Sequence, residues 1–150
     1  MRIIFIFITI LITVVQQPKG NYSYVDDTYF TQFGLASTIG LLVHNNPEVL
    51  SLEEGDKVTI GFEDGSTYLY YVYHIDEYQR VIKNGFDIFI DLKDGTRYNE
   101  FNIFKIYYTV QNLYRDNLIL QTCIEKNGKK SWGVRFVIAL PIKNIGKEMK

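Results

Sequence analysis

Short strand-like runs, divided at regular intervals by turn signals, constrain this chain more than any other feature. The signals fall at Glu54-Gly55-Asp56, Asp64-Gly65, Asn84-Gly85, Asp94-Gly95 and Asn127-Gly128. Asn-Gly and Asp-Gly steps supply the positive φ that tight hairpins require. The runs between them are rich in Val, Ile, Tyr and Phe, side chains that fit a pleated, half-buried surface. The pattern predicts an all-β sandwich or barrel. A chain of 150 residues with 47% apolar content supports one core and is short for two.

Three segments carry detail. A two-residue turn at Asp64-Gly65 pairs Phe62 with Thr67, Ile60 with Leu69 and Val58 with Tyr71. It then leaves Tyr68, Tyr70, Val72 and His74 on the opposite face. Residues 98–110 have apolar side chains at Phe101, Phe104, Ile106 and Tyr108, which fits a short helix or an irregular connector. Leu118–Ile124 and Trp132–Leu140 are the clearest strands. If Leu118/Leu120 and Val134/Phe136 both face the core, Cys123 and Arg135 emerge together on the other side, which demands an odd-length loop or a bulge near Gly128.

The N-terminus is of another kind. One Arg precedes an unbroken apolar run from Ile3 to Val15, ended by Gln-Gln-Pro-Lys-Gly. The run has the length of a signal-peptide apolar region rather than of a bilayer span. Residues 1–20 are therefore expected to be an export signal or an uncleaved signal-anchor, 21–32 a tether, and 33–150 the domain. Arg2 on the cytoplasmic side places the remainder outside. Sixteen basic residues balance seventeen acidic ones, with no basic stripe among the aromatics. That argues against nucleic acid as a partner.

An exported chain usually pairs its cysteines, and this one has a single Cys. Cys123 is thus either a buried small hydrophobe or a working thiol. His44 sits where the apolar run Leu41-Leu42-Val43 meets the polar Asn45-Asn46-Pro47, a place suited to proton transfer or to a structural imidazole. Arg135 lies on a strand, where a solvated or ion-paired role is the ordinary one.

The local strings resemble the sortase family in order and context. Gly40-Leu41-Leu42-Val43-His44-Asn45, followed by Leu52-Glu53-Glu54-Gly55-Asp56-Lys57-Val58, is similar to the family's histidine segment. Gly65-Ser66-Thr67-Tyr68 to Tyr71-Val72-Tyr73 resembles its next strand. Leu118-Ile119-Leu120-Gln121-Thr122-Cys123 resembles the "TLxTC" active-site strand, with Ile119 in place of the first Thr. Arg135, in Gly133-Val134-Arg135-Phe136-Val137-Ile138-Ala139, resembles the family's arginine strand. The likeness spans about residues 33 to 143.

The resemblance implies a closed β-barrel of about seven to eight strands with short helices or connectors. It also implies a cysteine transpeptidase at the cell surface. Cys123 would be the nucleophile, His44 the general acid/base and Arg135 the stabiliser of the oxyanion or substrate carbonyl. The implied partners are a sorting-signal peptide, often LPxTG-like, and an amine acceptor from a peptidoglycan precursor or a pilin lysine, with no cofactor.

Thr122 would support the nucleophile. Asn45 would position the His or simply serve as a turn residue. Gly133 would permit close backbone approach near the groove or merely accommodate Trp132. Glu53, Glu54 and Asp56 lack the spacing of a calcium loop, so solvated charge is the expected role and no metal site is assigned. Two other functions fit the same residues: a non-catalytic exported peptide-binding β-domain, and a cysteine peptidase that uses water as acceptor.

Overall fold

The structure, a computed structural model, describes residues 9–18, 25–35, 38–62, 64–108 and 117–142. Strands dominate it, as the turn spacing predicts. They are β1 (Thr9–Gln16), β2 (Phe30–Leu35), β3 (Thr38–Val43), β4 (Lys57–Phe62), β5 (Thr67–Lys83), β6 (Phe86–Asp91), β7 (Arg97–Asn99), β8 (Leu118–Lys126) and β9 (Lys129–Pro141). Two short helices interrupt them, α1 (Pro47–Ser51) and α2 (Glu100–Tyr108). The second of these makes residues 100–108 of the segment 98–110 a short helix, while 109 and 110 lie outside the described residues.

One nine-stranded sheet runs in the order β4-β1-β2-β3-β8-β9-β5-β6-β7, and β4 also pairs β5. The pairings therefore come full circle from β4 through β1, β2, β3, β8, β9 and β5, while β6 and β7 extend beyond as a flap.

The expected export segment and tether meet this sheet directly. β1 pairs in parallel with both β4 and β2, so that Ile12 lies against Ile60 and Val14 against Phe30 and Phe62. Ile12 and Val14 are each 1% exposed. Structure thus starts well before Phe33, the predicted beginning of the domain: Thr9–Val15 of the apolar run, with Gln16 after it, and Phe30–Gln32 of the tether are strand. Residues 1–8 and 19–24 lie outside the described residues. An apolar, β-branched octamer satisfies a buried strand as well as a signal sequence, and hydropathy alone does not separate the two. No described helix is long and apolar enough to cross a membrane.

Two apolar clusters flank the sheet. The core cluster gathers Ile12, Val14, Leu41, Val58, Ile60, Val72, Leu118, Leu120 and Val137 with Val49 and Leu52 from the α1 region. The second lies under α2 and holds Tyr78, Phe89, Ile103, Tyr107, Tyr108, Ile119, Val134, Phe136 and Ile138. Because β8 and β9 are covered on both faces, their alternation is apolar both ways, and the two-residue period does not mark which side is the core.

Three irregularities then decide which side chain goes where. The first β4–β5 pair is Gly61 with Thr67, followed by Ile60 with Tyr68 and Val58 with Tyr70, one residue off the predicted register. The Phe62 N–H donates to the Ser66 carbonyl at 2.9 Å and Gly65 takes φ 86, which marks a bulged hairpin rather than the two-residue form. That shift turns Tyr70 and Val72 into core residues beside Val58 and Ile60, contrary to the predicted face.

A bulge between Val72 and His74 then reverses the faces of β5. Ile75 stays against the core cluster, while Tyr78 joins the α2 cluster. The third irregularity, between Ile124 and Lys126, governs the site described below.

Gly133 has a structural reason to be glycine. A Cβ there would stand 2.5 Å from the Tyr78 carbonyl oxygen on β5. The close approach is to the backbone of a neighbouring strand, whereas the one expected of it lies near the groove. Gly133→Ala is expected to destabilise the fold by about 1–3 kcal/mol, since backbone must move to make room. Urea denaturation measures the loss, and an unchanged midpoint would contradict the assigned contact.

Candidate functional site

β3 and β8 lie parallel, with Val43, the last residue of β3, opposite Thr122, while β8 continues to Lys126 against β9. There the chain leaves β3 through His44 and Asn45 into α1. Asn46 caps that helix, its side chain accepting from the Val49 N–H, and Pro47 occupies the first turn, where its missing N–H costs nothing.

The turn is fastened to β8 by side chains on both strands. The Thr122 hydroxyl donates to the His44 carbonyl at 3.2 Å and accepts from the Asn46 N–H at 3.1 Å. The Asn45 amide donates to the carbonyls of Cys123 at 3.1 Å and Lys130 at 3.0 Å. Thr122 is 1% exposed, so both bonds are made out of water, where an unmade one would cost about 1–3 kcal/mol. The supporting residues anticipated at Thr122 and Asn45 thus join the His44 turn to the part of β8 that carries Cys123.

His44 itself is open to solvent, with its side chain 58% exposed and Nε2 3.6 Å from a carboxylate oxygen of Asp27. Asp27, His44, Asn45, Glu125 and Lys130 line a depression of roughly 460 Å³. It is a polar cleft, and Cys123 is not among its described lining residues.

Cys123 is half-buried. Burial pushes its thiol above the ordinary value, and the Arg80 guanidinium partly offsets this. Arg80 is in turn held at 2.8 Å by Asp87 across the β5–β6 pair. Since a raised thiol is protonated at neutral pH, alkylation by iodoacetamide is expected to be slower than for an unfolded thiol at pH 7. Its rate should climb about tenfold per pH unit until beyond the ordinary thiol range. A rate already level by pH 8 would contradict the burial.

Arg135 requires a correction. The turn at Asn127–Gly128 is the two-residue type, both residues at positive φ, with Lys126 opposite Lys129. The irregularity beyond it moves Cys123 from Trp132 to Val134, a shift of two that leaves the faces unchanged, so Arg135 pairs Thr122 instead. Val134 and Phe136 lie in the α2 cluster and Leu118 and Leu120 in the core cluster, so the assumption that both sets face one core fails. Cys123 and Arg135 consequently stand on opposite faces of the sheet.

The guanidinium of Arg135 is engaged where it lies. It donates to the Leu50 carbonyl at 2.7 Å and to the Leu52 carbonyl, and its Nη1 is 3.7 Å from Glu77. These are carbonyls at the C-terminal end of α1, a favourable place for a cation. Its Nε is buried without a hydrogen-bond partner. Of the three predicted reacting groups, the structure fastens the His44 turn to the backbone of β8 at Cys123 and sets Arg135 on the far side, bracing α1.

Sequence reasoning missed Arg80, the cation acting on the thiol, and Asp27, the carboxylate beside His44. Nothing local signals Arg80, because the β5 bulge sets its side. Asp56, one of the acidic residues considered for calcium, accepts from the Glu53 N–H at 2.8 Å. Among the described residues, no group of three or more His, Cys, Asp or Glu side chains is arranged to hold a metal ion.

No family model matches the chain, and no curated protein matches it. Among solved structures it is similar to sortase C1 from Streptococcus agalactiae, with a TM-score of 0.46 and 16% identity, over 87% of this chain and 61% of that one. It is also similar to the complex of Streptococcus agalactiae sortase C1 and MTSET, with a TM-score of 0.43 and 14% identity, over 78% of this chain and 55% of that one. The chain therefore spans less than two thirds of the length of either solved chain.

Proposed function

We propose that this chain is a sortase-like cysteine transpeptidase built on a closed β-barrel, acting outside the cytoplasm on a sorting-signal peptide. The observation that carries the proposal is the fastening of the His44 turn to β8 at Cys123 by Thr122 and Asn45. It holds the backbone of the His44 turn against that of Cys123, two of the three residues that the resembling strings single out. The apolar N-terminal run directs export in this proposal and is retained afterwards as β1, which leaves the product secreted rather than anchored by that segment.

The chemistry is a two-step acyl transfer. The Cys123 sulfur attacks a peptide carbonyl carbon while its proton passes to His44. The tetrahedral intermediate collapses with cleavage of the C–N bond, and His44 returns the proton to the departing amine. An acceptor amine, from a peptidoglycan precursor or a pilin lysine, then attacks the thioester and releases the thiol. Because the resting thiol is neutral, His44 must take its proton as the carbonyl arrives, and an exposed ring next to Asp27 is suited to that. Arg135 already grips two backbone carbonyls. The stabilising role expected of it is not part of this proposal, because it stands on the opposite face of the sheet from Cys123. In the resting arrangement it is a positioning residue for α1.

A second function is favoured by two observations. The thiol raised by burial and the committed guanidinium also suit a peptide-binding β-domain without catalysis. Incubation with an LPxTG-type peptide and a glycyl or lysyl amine separates the two. Transpeptidation predicts a new peptide–amine conjugate, and hydrolysis alone would indicate a peptidase. Binding without cleavage would overturn the enzymatic assignment.

A further inference from the structure

A second cavity lies away from the His44 cleft. It has a volume of roughly 400 Å³ and is lined by Gln16 of β1, Phe62 of β4, the hairpin residues Asp64 and Ser66, and Tyr68 and Tyr70 of β5. None of these residues lines the cleft at His44, and the two sit at different stations on the sheet. Tyr70 pairs Pro141, the last residue of β9, whereas Cys123 pairs Val134.

The bulged hairpin builds this cavity. By placing Tyr68 and Tyr70 on the same face as Ile60 and Val58, it brings two tyrosine rings alongside Phe62. The rings of Phe62 and Tyr68 stand edge to face, with centroids 5.7 Å apart at 78°. Tyr70 is nearly buried, while Tyr68 remains 52% exposed at the rim. Asp64 contributes a carboxylate, held by the Ser66 N–H at 2.8 Å and the Ser66 hydroxyl at 2.5 Å. Those bonds keep it well disposed to stay ionised. No Lys or Arg is among the described lining residues.

We infer that this cavity is a binding site for an alkylammonium group, taken among the rings of Phe62, Tyr68 and Tyr70 that line it, with Asp64 as counter-charge. Aromatic faces present negative quadrupoles to a cation, and several rings with one carboxylate form the lining that favours ammonium over a neutral group of equal size. A choline headgroup and a lysine side chain carry this shared chemistry. The site lies apart from the thiol, so it serves to hold the protein to a cationic surface component, independently of any acyl transfer.

The test is an NMR titration of the full chain with choline and with Nα-acetyl-lysine methylamide. The neutral isostere 3,3-dimethylbutan-1-ol serves as control. Resonances of Gln16, Ser66 and Tyr70 are expected to shift with at least one of the cations, and the tighter of the two identifies the source. The neutral isostere should bind roughly tenfold more weakly or worse. Tyr68→Leu, at an exposed rim position, and Asp64→Asn, which preserves the turn acceptor, should each weaken the cation by several-fold. Equal binding of choline and its isostere, no binding by either cation, or unchanged affinity in Tyr68→Leu would overturn the assignment.

Discussion

Cys123→Ala is expected to abolish peptide cleavage and transfer, lowering turnover by roughly a thousandfold or more, with the folded state retained. The size of the effect follows from the chemistry: the thioester has no other atom on which to form, because this is the only cysteine in the chain. The small structural effect follows from the geometry. What holds the site together around Cys123 is its backbone carbonyl, which accepts from Asn45 and which alanine keeps. The side chain lost is half-buried, so a cost of about 1 kcal/mol is appropriate. Thermal unfolding and a turnover assay on the same preparation separate the two effects. Residual turnover near the wild-type level would remove Cys123 from the reaction, whereas loss of cooperative unfolding would assign it to the core.

The second large effect concerns β1. Deleting residues 1–18 is expected to abolish cooperative unfolding, because the strand fills the gap between β4 and β2 and has two ladders to lose. Removing it strips Ile12 and Val14 from the core cluster and leaves the edges of β2 and β4 unpaired beside exposed apolar side chains. Two buried aliphatic side chains alone amount to about 3–6 kcal/mol of transfer free energy, against a typical total stability of about 5–15 kcal/mol. The lost ladders add to that. A milder variant, Ile12→Ala, should fold and lose about 2–4 kcal/mol. Far-UV circular dichroism with thermal melting reads both. A truncated chain that melts as sharply as the whole one would show that the run is dispensable to the fold, as a cleaved export signal is.

The turn dipeptides made much of the architecture legible. Asn127-Gly128 does close β8 onto β9 as a two-residue turn, and Gly65, Gly85 and Gly95 all take the positive φ that their positions implied. Faces were harder to read than strands. The bulge between Val72 and His74, the extra hairpin residue before Gly65 and the irregularity after Ile124 each alter a register. None leaves a mark in an alternation that is apolar on both sides. Arg135 shows the consequence: its neighbours in sequence were identified correctly, and its side of the sheet was not.

The candidate site divides in the same way. Thr122 and Asn45 were legible because they adjoin Cys123 and His44 and carry short polar side chains able to bridge two backbones. Asp27 and Arg80 come from segments whose position depends on the whole sheet. The polar contacts beneath α2 were equally hidden. The Tyr107 hydroxyl donates to Asp76 and meets Tyr78 at 2.8 Å, and His74 meets Asp76 at 2.7 Å, an arrangement that exists because the β5 bulge turns Asp76 and Tyr78 toward the helix. Burial accordingly raises the Tyr78 and Tyr107 phenols far above their ordinary value.

Intact-mass spectrometry of the protein, mixed with a sorting-signal peptide and quenched in acid, addresses the reaction at its centre. The predicted result is a population heavier by the N-terminal acyl fragment of the peptide, mapped to Cys123 and discharged by added amine or hydroxylamine. A protein that binds the peptide yet stays at its unmodified mass, or that carries the fragment on any other side chain, would contradict the proposed thioacyl enzyme.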